Sequence, residues 1–186
     1  MPIAADLVVE DGTGLSTANS YISLADALTY HTLRGNSIWA AATESDQVIA
    51  LVRATDYVET RWTFTGAPFT TTQALSFPMA ATYLNNRGAD VSESVPAEIA
   101  EATAEYALSV LGTGEAIVDL SPAVDQTEPN SVTYKREKVG TLEEETRFDT
   151  ARGIKITLSY PTAEKIIKSS GFLAGGGSSR SGSTIR

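Results

Sequence analysis

Between Thr43 and Trp62 the chain reads TESDQVIALVRATDYVETRW, and its apolar residues return at the spacing of an α-helix. Val48, Leu51, Val52, Thr55, Val58 and Trp62 fall on one face when each residue advances the helix by 100°. Thr43 is an N-cap residue, and Asp46 stands where a capping box places its acidic partner. A rod this long with a single apolar face cannot stay alone in water. The rest of the chain has to supply its cover.

Two other segments have that character. SLADALTYHTLRG predicts a helix capped by Ser23 with Asp26 three residues on, an apolar face of Leu24, Ala27, Leu28 and Leu33, and a stop at Gly35. VPAEIAEATAEYALSVLGTG predicts another, with Pro96 in the first turn and Glu98 and Glu101 near the positive end. Its buried stripe is Ile99, Ala102, Tyr106, Val110 and Leu111, Gly112 ends it, and its alanines permit close helix approach. The stretch GAPFTTTQALSFPMAATYLNNRGADVSES is a long irregular connection, with one short helix expected near Ala80 to Leu84. YPTAEKIIKSSGF predicts a short last helix with Pro161 in its first turn. The expected class is mainly α: a small helical bundle with a β-hairpin or extended arm and a flexible C-terminal tail.

The arm comes from residues 121–160. SPAVDQTEPNS is a linker. SVTYKREKVGTLEEETRF is rich in β-branched and charged residues, and ARGIKITLSY alternates Ile154, Ile156 and Leu158 with Lys155 and Thr157 as a strand does. GGGSSRSGSTIR is a Gly/Ser tail without the apolar content to fold alone. The organisation expected is a helical core over 1–120, a linker and hairpin arm over 121–160, and a last helix with tail over 161–186. That last part carries Lys165, Lys168, Arg180 and Arg186 against Glu164, on a chain whose net charge is −9. A basic end on an acidic body suits docking on something acidic.

Several function classes drop out. A net negative chain has no general affinity for duplex DNA. The absence of cysteine removes disulfides, thiolate metal sites and thiol nucleophiles. No apolar run reaches the ~20 residues of a membrane span. The opening MPIAADLVVEDG has no basic region before an apolar one, so an intracellular product without a secretion signal is expected. DGTG lacks the Lys-Ser/Thr of a P-loop and reads as a turn. The single histidine, His31, reads as an ordinary helix residue. Asp56 with Glu59, and Glu98 with Glu101, read as solvated helix faces. Glu143 to Glu145 do not converge on a cation, because consecutive strand residues face opposite sides. No enzyme activity, cofactor or metal is expected. Tyr134, Lys135, Arg136, Lys138 and Phe148 hold the parts of a small single-strand-binding surface, weakened by the three glutamates nearby.

If the arms on either side of Gly140 pair, Lys135, Arg136 and Lys138 lie beside Glu143, Glu144 and Glu145. Exposed pairs of this kind each contribute a few tenths of a kcal/mol. A two-stranded ribbon is marginal by itself. A ribbon with one basic and one acidic edge suits head-to-tail contact between copies, and a closed series of such contacts is a ring.

The order of ALVRATDYVETRW, QALSFP, VPAEIAEATAEYALSVL and YKREKVGTLEEE over roughly residues 8–172 resembles the head–tail connector proteins of tailed bacteriophages, also called adaptor or head-completion proteins. It resembles most a subgroup labelled as a DnaT-like single-stranded-DNA-binding domain. Met79 departs from relatives, which often carry Arg after the Phe-Pro. The resemblance implies a structural virion protein at the head–tail junction. It would form a twelve-membered ring beneath the portal protein, extend the channel through which DNA passes without specific binding, and offer a docking surface to tail, stopper or terminator proteins. It further implies portal docking by the C-terminal segment, which here holds Ile166, Ile167, Phe172, Leu173, Arg180 and Arg186. The subgroup's label implies the alternative, a single-stranded-DNA-binding module. No membrane is involved in either.

Overall fold

The structure is a computed structural model that describes residues 1–80, 84–85, 88, 90–112, 120, 132–138, 143–148 and 160–174. The fold is mainly helical. The chain divides into two compact units: a body of residues 1–120 with 160–186, and a second unit of residues 121–159.

In the body, α1 (Leu24–Leu33) is followed by α2 (Ser37–Ala41), α3 (Glu44–Arg61), α4 (Ala97–Leu111) and α5 (Pro161–Ser170). The caps are those the sequence signals: Ser23 Oγ accepts from Asp26 N–H at 3.1 Å, and Thr43 Oγ accepts from Asp46 N–H at 3.2 Å. Pro96 stands at the N-cap of α4, Gly112 closes it with φ of +59°, and Pro161 occupies the first turn of α5. The turn after α1 uses Gly35 at φ +69°.

α4 is the centre. It packs against α3, α5, α1 and α2. The reason lies in its side chains: Ala102, Ala104 and Ala107 are fully buried and let neighbouring backbones come close, while Ile99, Tyr106 and Val110 fill the space between. The buried face of α3 is wider than a single stripe and takes in Ala50, Ala54 and Tyr57 beside Val48, Leu51, Thr55 and Val58. Tyr57, Tyr106 and Tyr160 meet edge to face, with centroids 4.9–5.8 Å apart. A second aromatic group gathers on Phe77, which touches Tyr21, Phe64 and Phe172.

α1 departs from expectation. Its inward residues are Ala27, Tyr30 and His31, while Leu28 and Leu33 are 47% and 79% exposed. The cause is α2, which the sequence reading missed. Trp39 from that short helix is fully buried and lies against the His31 ring at 4.5 Å, so α1 rotates its aromatic side inward. The long connection after α3 is irregular, as expected. The helix expected near Ala80 to Leu84 falls mostly on residues outside those described; Leu84 itself forms a bridge with Asp90. The strand expected in 151–159 also lies outside them.

The DGTG segment is a turn wrapped around an internal carboxylate. Glu10 is 4% exposed and accepts from the N–H groups of Gly12, Gly14 and Leu15 at 2.9–3.0 Å. The loop that resembles an anion cradle is already occupied by its own chain.

The second unit is described by the backbone of β1 (Val132–Lys138) and β2 (Glu143–Phe148), an antiparallel pair with an irregularity between Val132 and Tyr134.

Candidate functional site

The ribbon is the feature whose charges the sequence singles out. Its register sets Arg136 opposite Glu145, Lys138 opposite Glu143, Lys135 opposite Thr146 and Glu137 opposite Glu144. Two of these positions pair opposite charges and one pairs like charges, which is unfavourable. By register the opposite-charge pairs outnumber the like-charge pair by one. What remains is polarity across its width: β1 holds Lys135, Arg136 and Lys138, and β2 holds Glu143, Glu144 and Glu145. Among the described residues the sheet has these two strands.

The residues expected to dock on a portal are placed differently. Ile167 and Phe172 are fully buried in the body's own core. Ile166 and Leu173 are half-buried and pack against that core. The segment after α5 is tied down by backbone bonds to the segment after α3: Thr65 N–H to Phe172 O at 2.7 Å and Ala174 N–H to Thr63 O at 2.8 Å. Residues 161–174 are thus a built-in part of the body and not a detached arm. The apolar content that makes them look like a docking peptide is spent inside the fold. Arg180 and Arg186 lie outside the described residues.

A cationic site that sequence reasoning overlooked sits where α3 ends. Trp62, expected in the core, is the C-cap of α3 and only half-buried. Its Nε1–H donates to Tyr106 Oη at 3.2 Å. The Arg61 guanidinium lies 5.0 Å from the ring centroid and the Lys168 ammonium 5.7 Å. Lys168 also pairs with Glu164 at 2.8 Å. Burial alone would raise the Glu164 carboxyl; the Lys168 bond, the Tyr160 N–H and the Arg61 charge outweigh it and hold the group below its ordinary value. The only sequence hint was that a Trp closes a helix beside an Arg.

His31 is fully buried, and burial lowers its pKa to about 4, with the Arg34 charge acting in the same direction. Tyr21 donates to Glu59, and Ser76 donates to the other Glu59 oxygen at 2.7 Å, so this carboxylate fastens the long connection to α3. Met79 is 3% exposed in an apolar setting, where an Arg would be buried. Among the described residues no group of three or more His, Asp or Glu could hold a metal ion. No described helix is long and apolar enough to cross a membrane.

A family model described as "Putative DnaT-like ssDNA binding protein" matches residues 5–186. The chain belongs to this family. No curated protein matches it, and no solved structure does. The family's description names single-stranded DNA and no virion part. The match spans both units, so the body and the ribbon are together the family's unit of sequence.

Proposed function

We propose that the protein is a structural head–tail adaptor, a subunit of a ring beneath a phage portal, acting by assembly and not by catalysis. The observation that carries this reading is the ribbon: a charge-polarised pair of strands, marginal as an isolated element, held in a unit of its own. Contact with another copy supplies what the ribbon lacks. The acidic body fits a channel wall, since like charge discourages phosphate contacts and lets a duplex slide. The portal contact falls to residues beyond Ala174, with Arg180 and Arg186 as its cations, and to the exposed parts of Ile166 and Leu173.

The test is cosedimentation of the full chain with its cognate portal. Wild type is expected in the portal fraction, and a chain lacking residues 175–186 is expected to be depleted from it. Equal recovery of both removes the docking role of the tail.

The family description favours a second reading, binding of single-stranded DNA. Tyr134, Lys135, Arg136, Lys138 and Phe148 would then form the surface, by stacking and phosphate contacts. A gel-shift titration at low salt separates the two: salt-sensitive binding that is lost when the three cations become Gln supports DNA binding, and no shift at any concentration supports the adaptor.

A further inference from the structure

The body is polarised along α3, a rod of 18 residues and thus about 27 Å in length. At its N-terminal end stand Glu44 and Asp46, joined by Asp6 from the short 3₁₀ turn Ala4–Asp6, whose Ala4 N–H donates to Glu44 Oε1 at 2.9 Å. Ile3, 56% exposed, adds an apolar side chain to this acidic end. At the other end stand Arg61 and Trp62, with Lys168 over the Trp62 ring and Lys165 exposed one turn earlier on α5. Of the five Lys and Arg among the described residues of the body, three are here. Complementing the helix dipole accounts for Glu44, Asp46 and Arg61. That dipole does not account for Asp6, which accepts from Ile3 N–H in its own turn, for Lys168, which pairs with Glu164, or for exposed Lys165, nor for exposed Ile3 at one end and half-buried Trp62 at the other.

We infer that the two ends of α3 are the two halves of one heterologous contact. The acidic end of one copy, with Ile3, seats on the Trp62–Arg61–Lys165–Lys168 end of the next. Opposite charge sets the orientation, and Ile3 against the Trp62 ring supplies the apolar centre. A contact between different surfaces of identical subunits propagates, and it closes when the rotation per step allows. The inference rests on the ring reading above and names body surfaces, distinct from the ribbon, that would carry it.

The experiment uses the full chain and two variants, with the distribution of masses measured across protein and salt concentration. Ile3→Lys/Asp6→Lys/Glu44→Lys leaves only Asp46 against three lysines and makes both ends basic, and Lys165→Glu/Lys168→Glu makes both acidic. Each variant alone is expected to self-associate at least tenfold more weakly than wild type, and an equimolar mixture of the two to recover association. Thermal melts of each variant confirm that the body is folded; should one unfold, Ile3→Lys and Lys165→Glu singly replace it. Association of wild type with indifferent variants, or a mixture that does not recover, overturns the pole-to-pole contact and leaves the ring reading standing. Wild type that stays monomeric up to its solubility limit, alone and with portal, overturns both.

Discussion

The Tyr160 hydroxyl donates to the Leu120 carbonyl at 3.1 Å, tying together the points where the chain leaves the body and returns to it. The two body residues that bracket the segment 121–159 are thus held together. Replacing that segment with a short Gly/Ser linker is expected to leave the helical body folded, with its midpoint of thermal unfolding within a few degrees of wild type. The same change is expected to weaken self-assembly, since the ribbon's share of the contact between copies is lost. Circular dichroism and sedimentation read the two outcomes; an unfolded body would show that the segment is part of the core.

Phe172 and Ile167 are core residues, so their substitution should act on stability. Phe172→Ala removes a fully buried ring that packs on Phe77 at 5.6 Å. A loss of about 3–5 kcal/mol in urea unfolding is expected. Truncation after Ala174 should cost less than about 0.5 kcal/mol, because the backbone bonds at Thr65 and Thr63 are retained.

Glu10 organises the first loop. Glu10→Ala leaves three N–H groups without their acceptor and is expected to cost about 3 kcal/mol. Gly12 has φ of +96°, and an added Cβ would meet the Glu93 carbonyl oxygen at 2.7 Å. Gly12→Ala should therefore destabilise by about 2 kcal/mol or more. Denaturant midpoints at constant slope check both.

His31 makes the fold acid-sensitive. The Asn36 amide can only donate from its nitrogen, so its contact with His31 Nδ1 at 3.0 Å puts the ring proton on Nε2. Among the described residues that nitrogen makes no hydrogen bond of good geometry, and the nearby Ala104 backbone offsets only part of the cost of charging the ring. A folded-state pKa of about 4 against an ordinary 6.5 means that the unfolded chain takes up the proton first. Stability from this group is full above pH 6.5 and is lost as pH falls from there towards 4. Between pH 7 and 5 wild type should lose about 2 kcal/mol more than His31→Gln. Parallel pH dependences of the two would refute this.

The helices were legible because local rules fix them. Caps at Ser23 and Thr43, the apolar period of α3 and α4, and Pro161 at the start of α5 all act within a few residues. The pairing of the charged ribbon followed from composition and one glycine. What the sequence hid depends on contacts far along the chain. Leu28 and Leu33 have the spacing of a buried face, yet Trp39 from a five-residue helix claims the other side of α1. Trp62 looks like core but ends up at a helix cap between two cations, one of them 106 residues away. Phe172 and Leu173 look like a docking peptide because their partners, Phe77 and Phe64, lie on a connection with no periodicity to read.

The central claim is that the protein works as one of several identical subunits seated on a larger ring. Mass measurement of the full chain, alone and after mixing with its cognate portal, tests it most directly. The account predicts a discrete complex whose added mass is a whole number of copies matching the symmetry of the portal. A chain that stays at 19.7 kDa in both samples, with the portal mass unchanged, would contradict it.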